Sequence, residues 1–92
     1  MNEQTKEILI ILQEECAEVI VEVSKCFRFG PDQMMEGTDV TNIQRLEKEL
    51  GDLQAMIQLL VKQKVGVSQD GINANKAKKF EKLKLYSNIK IK

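Results

Sequence analysis

The chain has 92 residues, with 14 Lys and Arg against 14 Asp and Glu, no His, one Pro and one Tyr. That length is one small domain, residues 1–92, near the lower limit for burying a self-sufficient core, so a homo-oligomer is expected to complete it. A composition 42% apolar and 30% charged fits a soluble globular protein, few Pro and Tyr argue against a turn-rich β-sandwich, and the longest wholly apolar run, Ile8 to Leu12, is far too short to span a bilayer.

From about Glu3 to Phe29 there is no Gly or Pro, and Ile8, Ile11, Leu12, Cys16, Val19, Val23 and Cys26 recur at threes and fours, which predicts a long amphipathic helix. Ile10, Ala17 and Val21 keep the same period on the opposite side, so burial against neighbours on two sides is expected. Gly30-Pro31-Asp32 stops this helix, and the segment up to Thr41 reads as an irregular connection in which Asp39 or Thr41 caps the next helix.

A second helix is predicted from about Asn42 to Lys64, with a stripe of Ile43, Leu46, Leu50, Leu53, Ile57, Leu60 and Val61 and with Gly66 ending it. Gly51 inside it costs about 1 kcal/mol against Ala, and either admits a close neighbour or is a tolerated surface glycine. A third, shorter helix from about Ile72 to Tyr86 places Ala74, Ala77, Phe80 and Leu83 on one side and lysines on the other. The predicted fold is all-α: an antiparallel helical hairpin plus a shorter basic helix, with a four-helix-bundle core completed by a second subunit.

Charge is uneven along the chain. Residues 1–75 hold 7 Lys and Arg against 13 Asp and Glu, whereas residues 76–92 hold 7 Lys and a single Glu. Such a basic tail meets nucleic acid, a phosphorylated small molecule or only solvent. Cys16 and Cys26, without any His or CxxC spacing, read as reduced core thiols, and with no leader-like start the expected location is the cytoplasm.

The carboxylates of helix one do not fit its apolar surroundings. At about 100° per residue, Glu15 falls close to the centre of the apolar stripe and Glu18 on its border, while Glu14 points away. Helix two carries a matching pair, Glu49 and Asp52, also three apart and flanked by Leu46, Leu50, Leu53 and Met56. In an antiparallel hairpin the two pairs can converge, and four carboxylates need cations. Oxygen donors without imidazole or thiolate suit Mg2+, with Mn2+ a substitute. The plainer alternative is a set of solvated helix carboxylates paired with Lys25, Arg45 or Lys48.

The order E-E-x-x-E on one helix and E-x-x-D on the next, here Glu14, Glu15, Glu18, then Glu49 and Asp52, resembles the MazG-like all-α nucleoside triphosphate pyrophosphohydrolases. The segments SKCFRFG (residues 24–30) and KAKKFEKLKLYSN (residues 76–88) also look like short phage and bacterial members, so the resemblance runs from about Leu12 to Asn88. It implies Mg2+ ligands at Glu15, Glu18, Glu49 and Asp52, and hydrolysis of a nucleoside or deoxynucleoside triphosphate between the α and β phosphates. Within that implication Glu15 or Glu18 orients or deprotonates the water. Lys25, Arg28, Asn75, Lys76, Lys79 and Lys82 are the candidate contacts to the triphosphate.

Thirty residues separate Glu18 from Glu49, a long connection for this motif, so a base pocket built partly by another subunit is expected, in a homodimer or homotetramer. The rival inside the same superfamily is phosphoribosyl-ATP pyrophosphohydrolase, whose glycine- and lysine-rich approach to the acidic motif is missing here. Outside it stand a small helical nucleic-acid-binding or regulatory protein and a structural oligomer with a decayed site. With only Phe80 and Tyr86 among the tail lysines, base stacking is poorly supported and no nucleic-acid partner is expected.

Overall fold

In the computed structural model, which describes residues 1–91, Asn2 starts the first helix. Its Oδ1 accepts a hydrogen bond from the Thr5 backbone N–H at 2.7 Å, satisfying a donor that the first turn leaves free. Helix α1 then runs Glu3–Phe29 and ends at Gly30, whose φ of +92° suits glycine. Helix α2 spans Asn42–Lys62, and its cap is Thr41, not Asp39. The Thr41 hydroxyl accepts from the Gln44 N–H at 3.2 Å while the Gln44 side chain accepts from the Thr41 N–H at 2.9 Å.

Helix α2 stops short of the predicted Lys64 because that residue takes a left-handed φ of +56°. Helix α3, Gln69–Tyr86, starts earlier than Ile72, because the Ser68 hydroxyl accepts from the Gly71 N–H at 3.0 Å and caps it there. Among the described residues there is no strand, only an isolated bridge between Met34 and Thr41. The all-α hairpin plus third helix is therefore the observed architecture.

Helices α1 and α2 pack antiparallel and are pinned at both ends. At one end the Thr5 hydroxyl donates to Gln63 Oε1 at 3.1 Å; at the other, Asn42 Nδ2 donates to the Gly30 carbonyl at 2.9 Å. The α1 seam against α2 is Thr5, Ile8, Leu12, Glu15, Val19, Glu22 and Cys26, a strict alternation of threes and fours in which every residue is buried or half-buried. The predicted stripe is corrected at two positions: Cys16 is exposed, so it is not a core thiol, and Val23 is 36% exposed. Glu22 takes the place between Val19 and Cys26 instead, and is 2% exposed. On α2 the seam runs through Asn42, Glu49, Met56 and Leu60, and the predicted stripe residues Ile43 and Leu50 face outward.

Gly51 is exposed, and a Cβ there would meet no atom within 4 Å, so it is a tolerated surface glycine. Helix α3 packs along neither α1 nor α2, and none of its residues is buried. Its lysines at 76, 78, 79, 82 and 84 surround the helix rather than share one side, so it has no apolar face to lay on the hairpin. The whole is a thin slab, 41 × 38 × 15 Å. No helix among the described residues is long and apolar enough to cross a membrane.

Candidate metal centre

Packing α1 against α2 brings Glu15, Glu49 and Asp52 together, with one carboxylate oxygen from each inside a group whose members all lie within 4.8 Å of one another. The geometry follows from the seam. Glu15 and Glu49 sit close to its midline and Asp52, three residues on, leans over its edge from the same side. Glu49 is buried at 6% exposure, and Glu15 and Asp52 are half-buried. Glu15 Oε2 is fully enclosed with no hydrogen-bond partner.

Desolvation pushes the Glu15 carboxyl above its ordinary range, followed by the adjoining Glu49 carboxyl and by repulsion from Asp52, Glu49 and Glu18. Among the described residues the one cation at the cluster is Lys48, whose Nζ lies 2.8 Å from Asp52 and 3.5 Å from Glu49. Its pKa is raised, first by the hydrogen bond to Asp52. One ammonium against three carboxylates leaves the cluster negative, with the enclosed Glu15 oxygen unserved. An oxygen-only set with such an orphaned acceptor fits a hard divalent cation.

Glu18 is not part of this group. It is exposed one turn beyond Glu15, near enough for its charge to act on Glu15, and no cation lies within ion-pair distance of it among the described residues. Glu14 is exposed and outside the cluster, as its angular position on the helix predicted. Of Lys25, Arg45 and Lys48, only Lys48 reaches the triad. Arg45 and Lys25 pair with Glu22 instead, at 3.4 and 3.5 Å. Glu22 was legible as a carboxylate one heptad after Glu15, and that spacing is the signal that it shares the seam.

The candidate triphosphate contacts are scattered. Lys25 lies on the carboxylate side of the hairpin, beside a groove of about 310 Å3 whose walls include Phe29, Met34 and Met35. Arg28 is exposed, with its guanidinium 4.9 Å from the centre of the Phe29 ring. Asn75 spends its Nδ2 on the Gly71 carbonyl at 2.8 Å, within α3. Lys76, Lys79 and Lys82 are exposed on α3, which one chain does not bring alongside the cluster.

Because folded Glu15 holds its proton to higher pH than the unfolded chain does, folding takes up a proton between the two values. Its contribution to stability is complete below the unfolded value and is lost as the pH rises through the folded one. In urea unfolding of metal-free protein, the stability difference between wild type and Glu15→Gln should shift in favour of wild type on going from about pH 7 to about pH 5. A difference that does not vary with pH contradicts this.

No protein family, curated protein or solved structure matches the chain. The functional reading rests on the residues themselves.

Proposed function

We propose that this chain is a nucleoside triphosphate pyrophosphohydrolase, which adds water between the α and β phosphates to give a nucleoside monophosphate and pyrophosphate. The observation that carries the reading is the carboxylate triad of Glu15, Glu49 and Asp52, together with the enclosed Glu15 oxygen that has no hydrogen-bond partner among the described residues. These three would hold Mg2+, or Mn2+ in its place, with Glu18 a fourth carboxylate able to swing in. When bound, the metal lowers the pKa of water and neutralises phosphate charge, which removes any need for histidine or a nucleophilic serine.

The residues around the triad divide the remaining work. Glu18 has no ion pair among the described residues and can accept a proton from the attacking water. Lys48, now held by Asp52 and Glu49, can turn its ammonium to a phosphate once the carboxylates are otherwise engaged. Lys25 and Arg28 lie further along α1 toward the groove beside Phe29, whose aromatic and thioether walls suit a base. The working form in this reading is a cytoplasmic homo-oligomer.

The test is a panel of canonical and modified nucleoside and deoxynucleoside triphosphates with Mg2+ or Mn2+, with pyrophosphate and phosphate detected separately. Release of pyrophosphate from at least one is the expected result, and an intact panel with both metals contradicts the proposal. A second reading rests on α3, whose lysines lie exposed and apart from the carboxylates. As a nucleic-acid-binding helix it would bind duplex in a manner that falls steeply with salt and is indifferent to Glu49→Gln.

A further inference from the structure

The face of the hairpin that carries the triad changes character along its length. Glu18 and Lys25 of α1 and Arg45, Lys48 and Asp52 of α2 turn toward this face, whereas a second apolar seam on α1, Leu9, Cys16, Ile20 and Phe27, turns the opposite way. Cations stand on one side of the triad. Lys48 lies on Asp52 and Glu49, and one heptad beyond Glu15 the Arg45 and Lys25 side chains meet at Glu22. On the other side, toward the start of α1 and the end of α2, lies an apolar groove of about 290 Å3 lined by Gln4, Glu7, Ile8, Ile11, Met56 and Leu59. The carboxylates are thus bracketed by positive charge at one end and by apolar surface at the other.

Distance selects between this groove and the one beside Phe29. Ile11 stands one turn before Glu15 and Met56 one turn after Asp52, about 6 Å along each helix axis, whereas Phe29 is about 21 Å along α1 from Glu15. In a nucleotide, six bonds of ~1.5 Å join the α phosphorus to the base, a reach of at most ~9 Å. The walls beside Phe29 suit a base in their chemistry, but a nucleotide with its α phosphate at the triad does not extend to that ring. The groove at Met56 begins within reach. Its floor is the buried Ile8, its walls are the half-buried Ile11 and Met56, and Leu59 is 42% exposed at its edge. Aliphatic carbon and a thioether there suit the face of a ring. Gln4 and Glu7, exposed at the far rim, offer acceptors and, from Gln4, donors to a base edge.

We infer that the groove of Ile11, Met56 and Leu59 takes the nucleoside half of the substrate, and that the pyrophosphate half points toward Lys48 and Lys25. The terminal phosphates carry most of the charge of a triphosphate, and this direction lays them beside ammonium groups. The reverse direction would lay them over Ile11 and Leu59 with the Glu7 carboxylate at the rim, which strips water from anions without supplying a partner. This orientation rests on the pyrophosphohydrolase reading and adds to it a binding groove and a direction for the substrate.

Methionine-methyl NMR of the full-length protein reads both grooves at once, because Met56 lines one and Met34 and Met35 line the other. The probes are α,β-methylene analogues of the canonical nucleoside and deoxynucleoside triphosphates, which resist cleavage between the α and β phosphates, and inorganic tripolyphosphate, which has no base, each with Mg2+. The expected result is a Met56 methyl that shifts with at least one analogue and far less with tripolyphosphate, while Met34 and Met35 stay in place. Leu59→Asn, outside the triad, should weaken that analogue at least ~5-fold and change tripolyphosphate binding less than ~2-fold. Movement of Met34 or Met35 in place of Met56 overturns the orientation. So does an equal Met56 shift with tripolyphosphate, or an analogue that binds Leu59→Asn as tightly as wild type. Pyrophosphate release alongside any of those outcomes leaves the hydrolase reading standing, whereas a panel of analogues that does not bind at all removes both.

Discussion

Glu49→Gln should lower pyrophosphate release at least ~100-fold while leaving the helices intact. The substitution keeps the shape of a side chain that is only 8% exposed and removes one of three charges that converge within 4.8 Å. Without metal, the fold loses a like-charge neighbour of Glu15, and Lys48 keeps its 2.8 Å contact with Asp52, so thermal stability should not fall. With metal, the two proteins part: Mg2+ should raise the melting temperature of wild type and leave that of Glu49→Gln where it was. Calorimetric Mg2+ titration should show the same contrast. A Glu49→Gln protein with wild-type turnover would remove the triad from the chemistry altogether.

Arg45→Ala should destabilise the chain by about 3 kcal/mol, a large share of the 5–15 kcal/mol that a domain of ordinary stability has. Glu22 has a side chain 3% exposed, and the Arg45 guanidinium is the cation that α2 brings to both of its oxygens, at 3.4 Å each. Removing Arg45 leaves a buried carboxylate with only Lys25, which approaches to 3.5 Å from the same helix. That remaining partner places the cost at the low end for a broken buried pair. Replacing both residues, as Glu22→Leu with Arg45→Met, should be neutral or stabilising, because the desolvation of the charges disappears with them. Urea unfolding of the single and double variants distinguishes the outcomes, and a silent Arg45→Ala would mean that Glu22 is not enclosed.

These two carboxylates divide what α1 places in its seam. Glu15 and Glu22 stand one heptad apart on the same helix face, yet one meets two further carboxylates and the other meets cations. The difference lies in α2: Glu49 and Asp52 stand opposite Glu15, whereas Arg45, one turn earlier, stands opposite Glu22. A satisfied ion pair and an unsatisfied acidic cluster thus sit two turns apart, and only the unsatisfied one calls for a ligand.

Local chemistry, which a sequence carries in full, determined the three helices. The periodicity of α1 and α2, the Gly30-Pro31 stop, the Ser and Thr caps and the threefold spacing of Glu15 with Glu18 and Glu49 with Asp52 all depend on neighbours within one or two turns. The choice of face did not. Helix α1 has two apolar seams about 100° apart, and periodicity alone gives both the same claim to α2. Only the packed hairpin selected the seam through Glu15 and Glu22, where Arg45 neutralises one carboxylate and the end contacts of Thr5 with Gln63 and Asn42 with Gly30 fix the register. That rotation put Glu15 inside and Cys16 outside, left Glu18 at the rim of the cluster, and turned the second seam to the open face of the slab. Which carboxylates meet depends on the angular position of a neighbouring helix, a long-range property set by the sum of many contacts and not written in any single stretch of chain.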